Sequence, residues 1–245
     1  MNLDVQIEKK LRHFDLKIDF SCNEGELLAI VGPSGAGKTT IMRIISGLEK
    51  PDHGYIAYGD TIWTNASKKI NIPVRMRGIG YVFQEFTLYP NLNVYKNVMF
   101  AARNAGRVKE LMKLLDIWRL KDSRPPKLSG GERQRCAICQ ALAREPGVLL
   151  MDEPFSALDT LTRKKLVGMM NSLKRELRIP ILYVTHDIYE AHYLADKILP
   201  LVNGMRDNKW LRQFKLFPKN NFHHGYQNTG IEGGENTELS ALTRV

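Results

Sequence analysis

With 245 residues, of which 43% are hydrophobic and 25% charged, the chain has the composition of a globular protein and the length for a sizeable core. No apolar run approaches the roughly 20 residues needed to cross a bilayer, and no signal-like segment opens the sequence, so we expect a cytoplasmic chain unless a partner holds it at a membrane. The net charge of +10 comes from scattered Lys and Arg residues, which favours solvated surfaces over a dedicated nucleic-acid or lipid patch.

The amino-terminal part of the chain predicts strands around a glycine-rich loop. Period-two alternation indicates strands at residues 3–7 and 14–20, and residues 27–31 form an apolar run of strand length. Residues 32–39 match G-x-x-x-x-G-K-[ST] without a mismatch, and residues 40–47 then have helical spacing up to a glycine suited to a C-cap. Strand, glycine-rich loop and helix in this order predict a phosphate-binding loop rather than a turn that happens to fit the pattern.

The chemistry of this loop suits a nucleoside triphosphate. Its glycines let backbone N–H groups approach phosphate oxygens, and the start of the helix adds its positive dipole end. We expect Lys38 to reach the β- and γ-phosphates and the Thr39 hydroxyl to bind Mg²⁺. The nucleotide-binding residues predicted in this segment are Gly32, Pro33, Ser34, Gly35, Ala36, Gly37, Lys38, Thr39 and Thr40.

Beyond the loop, turn-rich strands give way to a helical block and then to alternating strands and helices. Strands are predicted at residues 55–63 (a hairpin), 79–83, 148–152, 181–185 and 197–202, and helices at 94–120, 131–143, 160–177 and 187–195. This alternation implies a mainly parallel sheet covered on both faces. The predicted organisation is an α/β core of residues 1–87 and 145–205, a helical subdomain at 88–144 and a tail at 206–245. We expect about the last fifteen residues, rich in Gly, Asn and Glu, to be disordered.

The three cysteines do not indicate a disulfide framework or a metal site. Cys22, Cys136 and Cys139 cannot all pair within one chain, which fits a reducing compartment. Cys136 and Cys139 form a C-x-x-C pattern, but no second such pair and no suitably spaced pair of histidines completes a zinc site. Because both lie inside a predicted helix, we expect them to pack as small apolar side chains.

Two adjacent carboxylates stand at the end of the strand predicted at residues 148–152. Asp152 is where a P-loop enzyme places a second group for Mg²⁺, and Glu153 could then orient and deprotonate the attacking water. The alternative is a solvated turn before Pro154. The phosphate loop in the same chain favours the catalytic interpretation.

The segment Leu128-Ser129-Gly130-Gly131-Glu132 is the most specific pattern after the phosphate loop. Ser129 and Glu132 predict a capping box. A capped helix alone does not explain the two glycines between them. On this segment and the loop, the chain resembles the ATP-binding-cassette ATPases over about residues 3–204. The resemblance implies an α/β P-loop NTPase (RecA-like) core with an antiparallel β part and an inserted helical subdomain. It also implies that Ser129, Gly130 and Gly131 cap the γ-phosphate of ATP held by a second copy.

The resemblance implies roles for further residues. Gln84 matches the glutamine that touches Mg²⁺ and the lytic water, and Asp159 lies in the loop that crosses the dimer interface. His186 matches the switch histidine, which could steady the transferring charge. The implied catalytic residues are Glu153, His186 and Gln84, the implied metal ligands are Thr39, Gln84 and Asp152, and the cofactors are ATP and Mg²⁺. The aromatic residue that commonly stacks on adenine in this family is not clearly in register here, which leaves Arg12, His13 and Phe14 open for that role.

Within that family, residues 72–84 and 88–92 are most similar to the ATPases of molybdate-type importers. This implies a subunit at the cytoplasmic face of a membrane that imports molybdate, tungstate or a related oxyanion. The implied partners are a second copy, integral-membrane permease subunits and, indirectly, an extracytoplasmic solute-binding protein, with no nucleic acid. Import of another solute (sulfate, iron or a polyamine) and a soluble ATPase that acts on nucleic acid stay open as alternatives.

Overall fold

The computed structural model of the protein describes residues 1–85 and 87–214. The chain divides into two units, Met1–Gln213 and Phe214–Val245, and Phe214 is the described part of the second. In chain order the strands are β1 (Asn2–Lys10), β2 (Asp15–Asn23), β3 (Leu27–Val31), β4 (His53–Tyr58), β5 (Thr61–Asn65), β6 (Ile70–Asn71), β7 (Ile79–Val82), β8 (Val148–Asp152), β9 (Ile181–Thr185), β10 (Lys197–Val202) and β11 (Met205–Arg206). The α-helices are α1 (Lys38–Ser46), α2 (Val94–Ala101), α3 (Ala105–Leu114), α4 (Gly130–Leu142), α5 (Thr160–Glu176), α6 (Ile188–Leu194) and α7 (Asn208–Leu211).

The larger sheet carries the order β11-β10-β3-β9-β8-β7, and every pairing from β10 to β7 is parallel. All residues of β3, β8 and β9 are buried, as expected for parallel strands covered on both faces. The predictions for β3, β8, β9 and β10 are confirmed residue for residue. Because these strands are parallel, their carboxyl ends meet at one edge, the usual place for a ligand in such sheets.

The smaller sheet is antiparallel, in the order β2-β1-β4-β5-β6. In β1 the side chains of Leu3, Val5 and Ile7 are buried and their neighbours are more exposed, which is the alternation read from the sequence. The pairing continues beyond the predicted ends, to Lys10 in β1 and to Asn23 in β2. The predicted β1 stopped too early because the prediction followed the apolar alternation, whereas the backbone ladder continues through three charged residues.

Helix α1 lies in an apolar core shared by both sheets. Its residues Ile41, Ile44 and Ile45 are fully buried in one cluster with side chains of β1, β2, β3, β8 and β9. Gly47 ends the helix in the left-handed conformation with φ 85°, as the sequence predicts for a C-cap. This packing fixes the start of α1 relative to the ends of the parallel strands.

Arg77 is a buried cation that the sequence did not indicate. Its guanidinium donates to the carbonyl oxygens of Ile44 and Ile45, at the end of α1, at 3.2 and 2.7 Å. It also donates to Thr64 at 2.9 Å, so it ties α1 to the antiparallel sheet. Burial lowers the pKa of Arg77 to about 10. A Cβ on Gly47 would lie 2.7 Å from Arg77 Nε, so this close approach also favours glycine there.

The helical stretch predicted at residues 94–120 is divided into separate elements. It consists of α2, α3 and a short 3-10 turn, with a break at Ala102, whose backbone is extended. Asn104 then caps α3 by accepting from the Gly106 N–H at 2.9 Å. Helices α2 and α3 both pack on α4, whose capping box at Ser129 and Glu132 is confirmed.

Ordered elements continue past Gly204, where the sequence pattern lost its period. Strand β11 pairs with β10, and Asp207 caps α7 by accepting from the N–H groups of Lys209 and Trp210 at 2.8 and 3.1 Å. The disorder expected for about the last fifteen residues lies outside the described residues. The division at 88–144 and 206–245 stays a prediction. In the described ranges, no helix combines the length and the apolar character needed to cross a membrane.

Candidate active site

The phosphate loop joins β3 to α1 at the carboxyl edge of the larger sheet. A Cβ on Gly32 would lie 2.0 Å from the Leu201 carbonyl oxygen in β10, so only glycine fits there. Gly37 precedes α1 with φ 101°, a left-handed conformation that glycine adopts without strain. The Lys38 ammonium donates to the carbonyl oxygens of Gly32 and Pro33 at 2.8 and 2.9 Å. Burial lowers the pKa of Lys38, and Glu153 and Asp152 oppose that shift.

Asp152 lies at the end of β8 and faces the start of α1. Its Oδ1 accepts from the Thr39 hydroxyl at 3.2 Å, and its Oδ2 accepts from the Tyr81 hydroxyl at 3.4 Å. Burial raises the pKa of Asp152, and the hydrogen bond from Thr39 opposes that shift. Neighbouring oxygens around an octahedral Mg²⁺, with bonds of about 2.1 Å, lie about 3 Å apart. The Thr39 and Asp152 oxygens therefore fit two adjacent positions on one ion.

Tyr81 was missed by the sequence analysis as part of this site. It lies in β7, beside β8, and its ring stacks on Phe83 with the ring centroids 4.0 Å apart. Burial raises its pKa well above the ordinary value, so it stays a donor to Asp152 at neutral pH. The only signal in the sequence was a tyrosine three residues before Gln84 in an apolar strand, which is too common to indicate a role.

Glu153 and His186 are in contact. Glu153 follows β8 with a left-handed φ of 45°, and its N–H donates to the Val184 carbonyl oxygen at 3.0 Å. The His186 Nδ1 atom lies 3.1 Å from Glu153 Oε2. The two residues meet because β8 and β9 are parallel neighbours whose ends lie side by side. A non-glycine residue with positive φ is uncommon, and such backbone conformations concentrate at functional sites.

A cleft of about 470 Å³ lies against the phosphate loop. Its volume is within the range of small-molecule sites. The lining residues are Leu11, Arg12, His13, Phe14, Ser34, Gly35, Gly37, Lys38, Thr39, Thr40, Gln84 and Glu153. Most of the predicted loop residues, the predicted base Glu153 and the exposed Gln84 therefore share one cleft, whereas Gly32, Pro33 and Ala36 do not line it.

The turn between β1 and β2 forms one wall of this cleft. It is closed by a hydrogen bond from the Leu11 N–H to the Phe14 carbonyl oxygen at 3.0 Å. A Cβ on Gly37 would lie 3.6 Å from the Phe14 ring, and one on Gly204 would lie 2.7 Å from it. Phe14 therefore packs against the loop, while Arg12 and His13 are exposed at the tip. Which of these three residues supports a base stays open.

The signature segment lies elsewhere on the chain. Among the described residues that line the cleft, Ser129, Gly130, Gly131 and Asp159 do not appear. A Cβ on Gly131 would lie 2.5 Å from the Thr162 side chain, so this glycine allows α4 to approach α5 closely. Asp159 caps α5 by accepting from the N–H groups of residues 161 and 162 at 3.1 and 3.0 Å. One copy of the chain thus does not bring the signature to its own phosphate loop.

Asn97 organises the segment after Gln84 and was also missed. This fully buried side chain accepts from the Tyr89 N–H at 2.7 Å and donates to the carbonyl oxygens of Tyr89 and Leu92 at 3.1 Å. The exposed rings of Tyr89 and Phe100 lie against each other, with centroids 4.8 Å apart. An exposed aromatic pair on a well-fixed segment is a candidate contact surface.

Comparison with known proteins identifies the family. A sequence model described as ABC transporter matches residues 16–156, more than half of the chain. The chain belongs to the ABC transporter family. Curated relatives of this ABC cassette include the molybdate/tungstate import ATP-binding protein WtpC of Archaeoglobus fulgidus, 40% identical over 210 residues, which are 83% of this chain and 85% of that protein.

Two further relatives extend well beyond the region that aligns with this ABC cassette. The sulfate/thiosulfate import ATP-binding protein CysA 2 of Agrobacterium fabrum is 40% identical over 82% of this chain and 62% of its own length. The molybdenum import ATP-binding protein ModC of Brucella melitensis is 42% identical over 82% of this chain and 57% of its own length. The chain therefore spans less than two thirds of these two relatives.

Solved structures agree with this assignment. A dimer of the ATP-binding cassette MJ0796, bound to ADP and Pi, has a TM-score of 0.68 and 31% identity, covering 85% of this chain and 97% of that one. CbiO1 from Clostridium perfringens has a TM-score of 0.74 and 30% identity, covering 84% and 86%. The predicted fold class, an α/β P-loop core with an antiparallel part and inserted helices, is confirmed, and the chain is an ABC ATPase cassette.

Proposed function

We propose that this ABC cassette is the ATP-hydrolysing subunit of a membrane importer for molybdate, tungstate or a related oxyanion. The observation that carries the catalytic part is the meeting of the phosphate loop, Thr39 with Asp152, and Glu153 with His186 at one edge of the sheet. The solute is proposed from the relatives, two of which are named for molybdate, tungstate or molybdenum import. Sulfate is the second candidate because another relative is named for it.

In this proposal the phosphate loop binds the triphosphate through its backbone N–H groups and Lys38. The Lys38 ammonium, which now binds the carbonyl oxygens of Gly32 and Pro33, exchanges them for β- and γ-phosphate oxygens. Thr39, Asp152 and Gln84 would hold Mg²⁺. When bound, the ion neutralises charge on the β- and γ-phosphates.

Hydrolysis then depends on Glu153 and His186. The Glu153 carboxylate orients a water and accepts its proton as the water oxygen bonds to the γ-phosphorus, while the bond from that phosphorus to the β–γ bridging oxygen breaks and ADP leaves. His186, whose Nδ1 atom contacts Glu153 Oε2, keeps that carboxylate aimed and offers its other ring nitrogen to the transferring phosphoryl group. The left-handed backbone of Glu153 supports this role because strained conformations concentrate at functional sites.

A complete site requires two copies of the chain. The signature residues Ser129, Gly130 and Gly131 and the loop residue Asp159 do not line the described cleft, so they are free to act on ATP held by a partner copy. The relative MJ0796 forms a dimer with ADP and Pi bound, which supports this arrangement. We propose that ATP draws two cassettes together and that hydrolysis lets them separate.

The membrane partner is proposed to contact the segment that follows Gln84. Tyr89 and Phe100 present an exposed aromatic pair there, and Asn97 fixes the backbone beneath them. Closing the ATP-bound dimer would therefore move a surface that touches permease subunits. In this proposal the cassette lies at the cytoplasmic face of the membrane, and an extracytoplasmic solute-binding protein acts on it through the permease.

The test is to assemble the chain with its permease and solute-binding protein in proteoliposomes and to measure ATP hydrolysis. We expect stimulation by molybdate or tungstate that the Glu153→Gln assembly lacks. Stimulation by sulfate alone would mean that sulfate, rather than molybdate or tungstate, is the imported solute. Stimulation by a polyamine or iron would exclude oxyanion import. Salt-sensitive stimulation by DNA or RNA, without any solute effect, would contradict the transport role.

A further inference from the structure

Glu190 is a buried carboxyl group directly behind the proposed catalytic residues. It lies on α6 with 3% of its surface exposed. Its Oε1 accepts from the Tyr183 hydroxyl, and its Oε2 accepts from the Thr185 hydroxyl at 2.9 Å. A buried carboxyl group is costly unless it is hydrogen-bonded, and here both oxygens have donors from strand β9.

Hydrogen bonds link the residues on either side of His186. The Thr185 hydroxyl also accepts from the Asp187 N–H at 3.0 Å, and Asp187 Oδ1 accepts from the Glu190 N–H at 3.0 Å. The residues immediately before and after His186 are therefore linked to each other and to Glu190. These bonds hold the backbone on both sides of His186. Because the backbone is held, the imidazole can occupy only the positions that its side-chain rotamers allow.

The same strand also carries the partner of that histidine. The Glu153 N–H donates to the Val184 carbonyl oxygen at 3.0 Å, one residue before Thr185. The His186 Nδ1 atom then meets Glu153 Oε2 at 3.1 Å. The distance between histidine and carboxylate is thus set by one short stretch of β9, which Glu190 supports from the interior.

The charged neighbours of this cluster come from α5 and from the loop before α6. Arg163 Nη1 lies 3.7 Å from Asp187 Oδ2, and its other terminal nitrogen donates to the carbonyl oxygens of Ser156 and Leu158 at 3.3 and 3.2 Å. Burial, opposed by the hydrogen bonds from Tyr183 and Thr185, raises the pKa of Glu190 to about 7. Burial likewise raises the pKa of Tyr183 far above its ordinary value, so Tyr183 stays a donor.

We propose that Glu190 is a positioning residue: through Thr185 and Asp187 it holds His186 against the Glu153 carboxylate. This rests on the proposed function of Glu153 and His186 in ATP hydrolysis. Glu190 does not contact the nucleotide in this proposal. Its effect on the rate passes entirely through His186. This distinguishes Glu190 from a residue that only packs in the core.

The kinetic test uses two variants that break the link and one that keeps it. Thr185→Val removes the hydroxyl at nearly constant volume, Glu190→Ala removes the carboxyl, and Thr185→Ser keeps the hydroxyl. We expect the first two to lower the single-turnover rate of ATP hydrolysis about tenfold or more while ATP affinity stays within about threefold. We expect Thr185→Ser to retain most of the wild-type rate. A wild-type rate in both Thr185→Val and Glu190→Ala would overturn the proposal.

The decisive comparison repeats Thr185→Val in a His186→Ala background. Because the effect passes through His186, we expect less than about a twofold further loss there. An equal loss in both backgrounds would overturn the proposal, since it would mean that Thr185 acts independently of the histidine.

A second measurement does not depend on hydrolysis. The ring resonances of His186, assigned by their absence in His186→Ala, are expected to shift in Thr185→Val and Glu190→Ala but not in Thr185→Ser, with the remaining spectrum unchanged. Unchanged His186 resonances in both variants would overturn the positioning role. Absence of ATPase activity in the wild type would instead contradict the proposed function, and the spectra would still decide whether Glu190 positions His186.

Discussion

The Thr39 hydroxyl donates to Asp152 Oδ1 at 3.2 Å, although 113 residues separate them in the sequence. The contact links the start of α1 to the end of β8. It is a consequence of the parallel sheet, in which the carboxyl ends of β3 and β8 lie at the same edge with β9 between them. The pair therefore joins the two halves of the proposed metal site before any ion is bound.

The first prediction follows from this pair. Asp152→Asn keeps the shape and the acceptor for Thr39 but removes the negative charge that favours a divalent cation. We expect the Mg²⁺ concentration for half-maximal ATP hydrolysis to rise about tenfold or more. Titration of Mg²⁺ at fixed ATP measures it, with the exposed Asp60→Asn as the matched control. An unchanged Mg²⁺ requirement would contradict the assignment of Asp152.

The second prediction concerns Glu153, whose carboxylate contacts His186. Glu153→Gln keeps the volume but cannot accept a proton, so we expect ATP to bind while hydrolysis falls about 100-fold or more. The ATP-bound dimer should then accumulate, which light scattering coupled to gel filtration detects. Hydrolysis at the parent rate would refute the role of Glu153. Lone subunits at saturating ATP, with the membrane partners supplied, would argue against the two-copy site.

The third prediction concerns Lys38, which binds two carbonyl oxygens of its own loop. Lys38→Ala removes the cation that we propose for the β- and γ-phosphates, so we expect ATP affinity to fall about 100-fold. Calorimetric titration with ATP measures this, and the exposed Lys50→Ala is the control for loss of a surface charge. Retained affinity in Lys38→Ala would count against the phosphate-loop assignment.

The elements predicted correctly are those whose signals are local. Strands β3, β8, β9 and β10 are apolar runs with clear ends, because strands buried on both faces must be apolar throughout. The break between α2 and α3 was missed because it depends on a cap at Asn104 rather than on the apolar period, which continues across it. The charged end of β1, residues 8–10, was missed because its pairing with β2 uses backbone groups and needs no apolar side chain.

Within the site, sequence motifs brought the loop, Asp152, Glu153 and His186 together, and the structure places them at one edge of the sheet. Single polar residues with non-local roles were not predictable in the same way. Tyr81, Asn97 and Glu190 each lie in an ordinary apolar pattern, and their partners are far away in sequence or on another element. A local pattern carries no information about such partners, so only the packed structure identifies them.

The fourth prediction concerns Arg77, the buried cation at the end of α1. Arg77→Met keeps much of the volume but leaves the carbonyl oxygens of Ile44 and Ile45 without this donor, so we expect the free energy of unfolding to fall by about 3 kcal/mol. Arg77→Lys should be intermediate because a single ammonium cannot reach every acceptor of the guanidinium fork. Urea unfolding measures both, with the exposed Arg75→Met as control. Equal stability in all three variants would show that Arg77 does not hold α1 to the antiparallel sheet.

The fifth prediction is a pH dependence of stability that comes from Glu190. Burial raises its pKa from 4.5 to about 7 in the folded chain, so between these values the folded state binds a proton that the unfolded state does not. The corresponding stabilisation is fully present below the unfolded pKa and is lost as the pH rises through about 7. Glu190→Gln cannot ionise, so we expect its melting temperature, relative to wild type, to increase as the pH rises from about 5 to about 8.

Thermal melts of both proteins across that range measure the difference, and the exposed Glu176→Gln is the matched control, for which we expect no such trend. A difference between Glu190→Gln and wild type that is constant with pH would show that Glu190 keeps the same charge in the folded and unfolded chains. A difference with the opposite slope would mean that the folded chain favours the carboxylate, because the donors Tyr183 and Thr185 would then outweigh the cost of burial.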